Sequence, residues 1–171
     1  MTQYWILVFN QKKFDRLDDA ELIYALQDAN LAKLCAQYSL DGSLISPALE
    51  HLQLVTAPSG PSPISALYYK AVGQRPLFIQ QWDVSRPDGK NMLAAYLKKS
   101  HSMQVAACLV DTRQIWGIVL SPTQLKDLGL VFGYEIARWA AAQGQGLVYA
   151  LDGCWYRLNR HQAFLPLHAM S

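Results

Sequence analysis

The chain has 171 residues, 51% of them hydrophobic and only 16% charged, so it is long enough to bury a sizeable core and has little charge for a fully solvated surface. The formal net charge of +2, with no basic run longer than the pairs Lys12-Lys13 and Lys98-Lys99, argues against a nucleic-acid-binding protein, whose phosphate-facing surface concentrates many cations. Cys35, Cys108 and Cys154 are an odd, scattered set, which suits reduced thiols better than a disulfide framework.

Tyr4 to Phe9 reads as a buried strand from its aromatic and β-branched content. This apolar stretch is too short for an export signal and has no basic residues before it. No segment approaches the length of a membrane span, so a single cytoplasmic domain over residues 1–171 is expected. Asp18-x-x-Glu21 forms a capping box that opens a helix running to about Tyr38. Ser43 to Ala48 has no decisive pattern, and His51 to Thr56 reads as a strand. Pro58, Pro61 and Pro63 make the next stretch a loop. Ser65–Val72 and Leu77–Val84 flank Gly73–Pro76 as a hairpin, and Pro87-Asp-Gly leads into a helix from about Lys90 to Lys99. Val105–Val110 and Gln114–Leu120 read as a second hairpin around Asp111–Arg113. The segments Val72–Ile79 and Val110–Gly117 align without gaps, an echo that a duplicated hairpin-helix unit or recurring turn chemistry would produce.

Ile115 to Leu158 carries the strongest signals. Ser121, Pro122 and Gln124 occupy the positions of a capping box with proline at the first helical residue. Leu125, Leu128, Phe132, Ile136 and Trp139 follow as one apolar stripe, so a helix is expected over 122–143, ended by the backbone freedom of Gly144 and Gly146. Leu147–Ala150 and Trp155–Leu158 then form a hairpin about Asp152-Gly153. The expected fold is α+β: an antiparallel-rich mixed sheet with three helices packed on it. Without strict βαβ alternation, a doubly wound nucleotide-binding fold is disfavoured.

The chemistry-bearing residues form no recognisable catalytic, cofactor or metal motif. Gly129-x-x-x-Gly133 and Gly144-x-Gly146 lack the lysine of a P-loop and the glycine triplet of a dinucleotide fingerprint. His51, His101, His161 and His168 show no ligand spacing with cysteine or carboxylate. Cys108, the thin candidate for a nucleophile, sits in an apolar run that reads as a buried strand. Glu135 and Arg138 are spaced to pair on one side of the long helix, which is otherwise apolar nearly all round. Such a helix is either central or offers a face to a partner, around Tyr134 and Glu135. The aromatic residues fall on hairpins, and Trp155-Tyr156 must place one ring on each side of the sheet. Arg75, Arg113 and Asp152 sit at turns, where a few charges within an apolar surface can select a partner.

The alanine-rich helix followed by Gly146-Leu-Val-Tyr-Ala-Leu-Asp-Gly-Cys-Trp-Tyr156 resembles the closing segment of small bacterial α+β immunity proteins of polymorphic toxin systems. The resemblance spans the C-terminal quarter of the chain, and it implies a protein that neutralises a toxin by binding it. Missing catalytic motifs, low charge, aromatics on hairpins and a helix apolar on two sides give, together with that resemblance, the expected function of a non-catalytic protein–protein interaction module: an immunity or inhibitor protein, an assembly factor or an adaptor. Arg75, Arg113, Asp152, Tyr134 and Glu135 are its candidate contacts. Its partner is another protein or a second copy of the chain, without nucleic acid, membrane or cofactor. The alternative is a small enzyme or ligand-binding domain with its site around Glu135 and Arg138.

Overall fold

A computed structural model describes residues 2–14, 19–57, 63–70 and 75–167. Its centre is an eight-stranded sheet, β1 (Tyr4–Asn10), β2 (Gln53–Ala57), β3 (Ile64–Tyr68), β4 (Leu77–Asp83), β5 (Gln114–Leu120), β6 (Gly146–Tyr149), β7 (Trp155–Leu158) and β8 (Phe164–Pro166), in the order β2-β3-β4-β5-β1-β6-β7-β8. Every pairing is antiparallel, so the sheet is not mixed. β1 and β5 lie at the middle and are buried along nearly their whole length because helices cover both faces there. This explains their continuous apolar runs, which differ from the alternation of a half-exposed strand.

Six α-helices, not three, lie among the described residues: α1 (Asp19–Asp28), α2 (Leu31–Gln37), α3 (Ile45–Glu50), α4 (Pro87–Lys99), α5 (Met103–Leu109) and α6 (Leu128–Gly144). The single helix expected up to Tyr38 is broken because Asn30 caps a new helix, its side chain accepting from the Lys33 N–H at 3.2 Å. The capping box at Asp18 falls outside the described residues. The pattern-free stretch after Gly42 becomes a 3₁₀ turn and then α3.

Val105–Val110 is not a strand. Ser102 accepts from the Val105 N–H, Ala106 and Ala107 favour a helix, and Val105 and Leu109 fall on one buried face four residues apart. A short apolar run fits either element by periodicity, and here capping decides. β5 is also already paired on both edges, with β1 and β4. The echo is therefore no repeat of one unit: β3 precedes its first copy and α5 its second.

The two faces carry separate cores. On one, α1, α2, α3 and α6 pack over Ile6, Val8, Trp116 and Ile118. α6 is the central helix there. It is buried on most sides, and a fully enclosed ring such as Phe132 contributes about 1.5–3 kcal/mol by leaving water. On the other face, α4 and α5 cover Leu7, Phe9, Trp82, Ile115 and Leu147. Gly117 has a packing reason: a Cβ there would come within 2.7 Å of the Trp5 ring and 2.8 Å of the Trp82 ring.

The start and stop of α6 differ from expectation. Gln124 does reach back to the Ser121 N–H at 2.8 Å, but only a 3₁₀ turn (Gln124–Lys126) follows. Asp127 is then extended and caps α6 itself, accepting from the Gly129 N–H at 2.7 Å. At the other end the left-handed residue is Gln145, with φ 53°. Gly144 and Gly146 instead make room for the buried Asn10 side chain, which a Cβ on either would strike.

Candidate functional site

Two regions of the surface are unusual. The first is the β2–β3–β4 end of the sheet, on the face that α4 and α5 cover only further along. Val55, Ala66, Phe78, Val119 and Trp5 lie directly opposite one another across five strands and so share that face. Ala57 and Ile64 form the row on one side of it, and Gln53 and Tyr68 the row on the other. Val55 is 48% exposed, Ile64 43% and Tyr68 39%, which makes an apolar patch at the open edge of the sheet. β2 itself, Gln-Leu-Val-Thr-Ala, carries no charge, although edge strands commonly carry charge to discourage pairing. Arg75 lies at this end, its guanidinium 5.5 Å from the centre of the Phe78 ring.

The second region is a recess of about 300 Å³ on the opposite face and at the far end of the sheet, between α2, α6, the β6–β7 turn and β8. Tyr134 comes to it from α6, Tyr156 from β7, Phe164 from β8, and Tyr38 from the residue that ends α2. The Tyr38 and Tyr134 rings stack at 5.7 Å, and Phe164 meets Tyr134 and Tyr156 edge-on at 6.0 Å. Asp152 sits at the exposed turn as an Asx cap, accepting from the Cys154 N–H at 2.9 Å and from the Tyr156 hydroxyl at 2.6 Å. Burial, then the neighbouring Tyr134 and the charges of Glu135 and Asp152, push the Tyr38 phenol up to about 12. The hydrogen bond to Asp152 does most to raise Tyr156, also to about 12. All three tyrosines of the recess are therefore neutral at physiological pH.

Glu135 and Arg138 do pair. The guanidinium donates to both carboxylate oxygens of Glu135, at 2.8–3.2 Å, and also to Gln162 at 3.3 Å. Glu135 is buried and both its oxygens accept from Arg138, whose further bond to Gln162 ties α6 to the β7–β8 turn. The sequence candidates therefore do not converge on one place. Tyr134 and Asp152 line the recess with Glu135 alongside, Arg75 stands by the open sheet face, and the exposed Arg113 lies where α5 leads into β5, its backbone N–H held by the Asn10 carbonyl at 2.8 Å. Trp155 and Tyr156 do part to opposite sides of the sheet, and both are covered: Trp155 packs with Phe9 and Tyr96 on one face, and Tyr156 with Phe164 on the other.

Cys108 is not in a strand; it is half-buried on α5. Cys35 is buried as expected, its thiol pushed up mainly by that burial. No group of three or more potential metal-binding side chains occurs among the described residues. No helix among them is long and apolar enough to cross a membrane.

Sequence reasoning missed the part played by Asp127. Besides capping α6, it accepts from the buried Tyr69 hydroxyl at 2.8 Å and pairs with Lys70 at 2.5 Å. Burial and the Asp127 charge raise the Tyr69 phenol well above its ordinary value. Tyr69 and Asp127 lie 58 residues apart, so no local pattern announces the contact. It is a structural lock between β3 and the start of α6. Compared with known proteins, the chain matches no family, no curated protein and no solved structure.

Proposed function

We propose that this protein is a non-catalytic protein–protein interaction module whose partner seats on the open face of β2, β3 and β4. The observation that carries this reading is the apolar row from Val55 across to Phe78, exposed at Val55 and half-buried at Ala66 and Phe78, beside an uncharged edge strand. Exposed apolar area of this kind at a sheet edge is stabilised when another protein removes it from water, and β2 is the terminal strand of the sheet, the position at which an added strand extends it. Arg75 beside Phe78 supplies the charge that apolar contact lacks for discrimination. On this reading the chain works in the cytoplasm as an inhibitor of the immunity type, an assembly factor or an adaptor. The same face would serve for pairing with a second copy.

The test is capture from the native host with the immobilised chain, followed by reconstitution from purified components. Val55→Lys and Ile64→Lys place a charge in the patch on solvent-facing positions and should weaken binding by on the order of tenfold or more each, with circular dichroism unchanged. A reconstituted partner that binds both variants as tightly as the unaltered chain would rule this face out. The recess favours a second reading, a small ligand-binding domain next to Glu135 and Arg138, because its volume of about 300 Å³ is that of a small-molecule site. Ligand-induced protection centred on Tyr134, with no effect of the two lysine variants, would select it.

A further inference from the structure

The recess at the β6–β8 end has a composition that specifies a ligand chemistry independently of what docks at the other end of the sheet. We propose that it binds a guanidinium group, the head group of arginine, with the cation against the tyrosine rings and its N–H groups directed at Asp152.

Three observations carry this. The lining is aromatic: Tyr38, Tyr134, Tyr156 and Phe164 all border the recess, Tyr38 and Tyr134 stacked on one another at 5.7 Å and Phe164 edge-on to Tyr134 and Tyr156. Ring faces carry the negative part of the quadrupole and attract cations. Among the described residues of the lining the one charge is negative, since Asp152 is joined there by no lysine, arginine or histidine. Asp152 is also fixed in place, and each carboxylate oxygen retains acceptor capacity after the bonds from Cys154 and Tyr156. The same lining holds further acceptors, since the Tyr38 hydroxyl and the Gln37 amide make no hydrogen bond to any described residue.

These acceptors separate the candidate cations. A quaternary ammonium would gain from the rings and leave the carboxylate, phenol and amide unused. A lysine ammonium is a compact, strongly hydrated charge with no flat face. A guanidinium is planar and weakly hydrated, and its five donors can serve Asp152, Tyr38 and Gln37 while its face lies on a ring.

The experiment is a titration of the full chain followed by NMR of the ring resonances of Tyr38, Tyr134, Tyr156 and Phe164. The probes are methylguanidinium, N-acetyl-arginine amide, free arginine and tetramethylammonium. Saturable shifts are expected for the guanidinium probes, with tetramethylammonium at least about tenfold weaker because it donates no hydrogen bond. Tighter binding of the amide than of free arginine assigns the site to an arginine within a polypeptide, and the reverse order to the free amino acid. Asp152→Asn keeps the cap on Cys154 and should weaken the guanidinium probes about tenfold or more. Because Asp152 also shapes its turn, Tyr38→Leu is the second variant; it lies on a different element and should weaken binding several-fold by removing a ring. Absence of saturable shifts with both methylguanidinium and the amide would overturn the proposal, as would equal affinity for tetramethylammonium or unchanged affinity in both variants. The site is remote from Val55 and Ile64, so neither the lysine variants nor the fate of the docking face bears on this result.

Discussion

Replacing Asp127 by alanine tests how much of this fold depends on one side chain. The carboxylate has three roles: it caps α6 through the Gly129 N–H, accepts from the Tyr69 hydroxyl and pairs with Lys70. Losing an N-cap of this type costs about 1 kcal/mol. The Tyr69 side chain is only 3% exposed, so its hydroxyl would become a buried donor without a partner, at about 1–3 kcal/mol. The Lys70 side chain is 35% exposed, so solvent screening holds that pair below about 1 kcal/mol. Asp127→Ala should therefore destabilise by about 3–4 kcal/mol, a fall of roughly 10 °C in Tm for a chain of this size. Urea unfolding followed by tryptophan fluorescence measures it. Adding Tyr69→Phe should restore about 1–2 kcal/mol by removing the stranded hydroxyl, whereas Tyr69→Phe alone destabilises. Asp127→Asn retains a capping oxygen and should cost less than half as much as alanine. An alanine variant within about 1 kcal/mol of the original, or a double variant no better than the single, would show that α6 starts where it does for another reason.

Gly117→Ala should cost about 1–3 kcal/mol and disturb the near-ultraviolet circular dichroism, because its methyl group meets the Trp5 and Trp82 rings; an unperturbed spectrum would contradict that packing. Phenolate absorbance should show Tyr38 and Tyr156 ionising near pH 12, with that late phase reduced in Tyr156→Phe. Because their folded pKa values are raised, the stability tied to the neutral phenols is fully present below about pH 10 and is lost as pH climbs through about 12, so alkaline unfolding should fall in that window. Native alkylation read by mass spectrometry should modify the exposed Cys154 first, then Cys108, and reach Cys35 only on unfolding; early labelling of Cys35 would contradict its burial.

Local sequence determined those features whose energies are local. The Asp152-Gly153 turn forms because the Asp152 side chain caps its own turn and Gly153 adopts φ 77°. Glu135 and Arg138 meet because residues three apart on a helix are neighbours, and Trp155 and Tyr156 part to opposite faces because strands alternate. The apolar surface of α6, which no single stripe explains, left a central helix and a partner-facing one both open, and the packing of α1, α2 and the sheet against it makes it central. Tertiary structure decided where contacts between distant residues outweigh local preference. Ser121-Pro-x-Gln124 is a good helix start, yet Tyr69 and Lys70 fix Asp127 in the capping position and move the start of α6 beyond it. The glycines after α6 look like a helix stop, but they are small because Asn10 fills the space beside them, and Gln145 takes the left-handed turn. The open sheet face exists because α4 and α5 cover only part of the sheet, and the recess because β8, unsuspected from the sequence, carries Phe164 to Tyr134 and Tyr156. No one segment holds either site, since a surface assembled from distant residues has no period along the chain for a sequence to display.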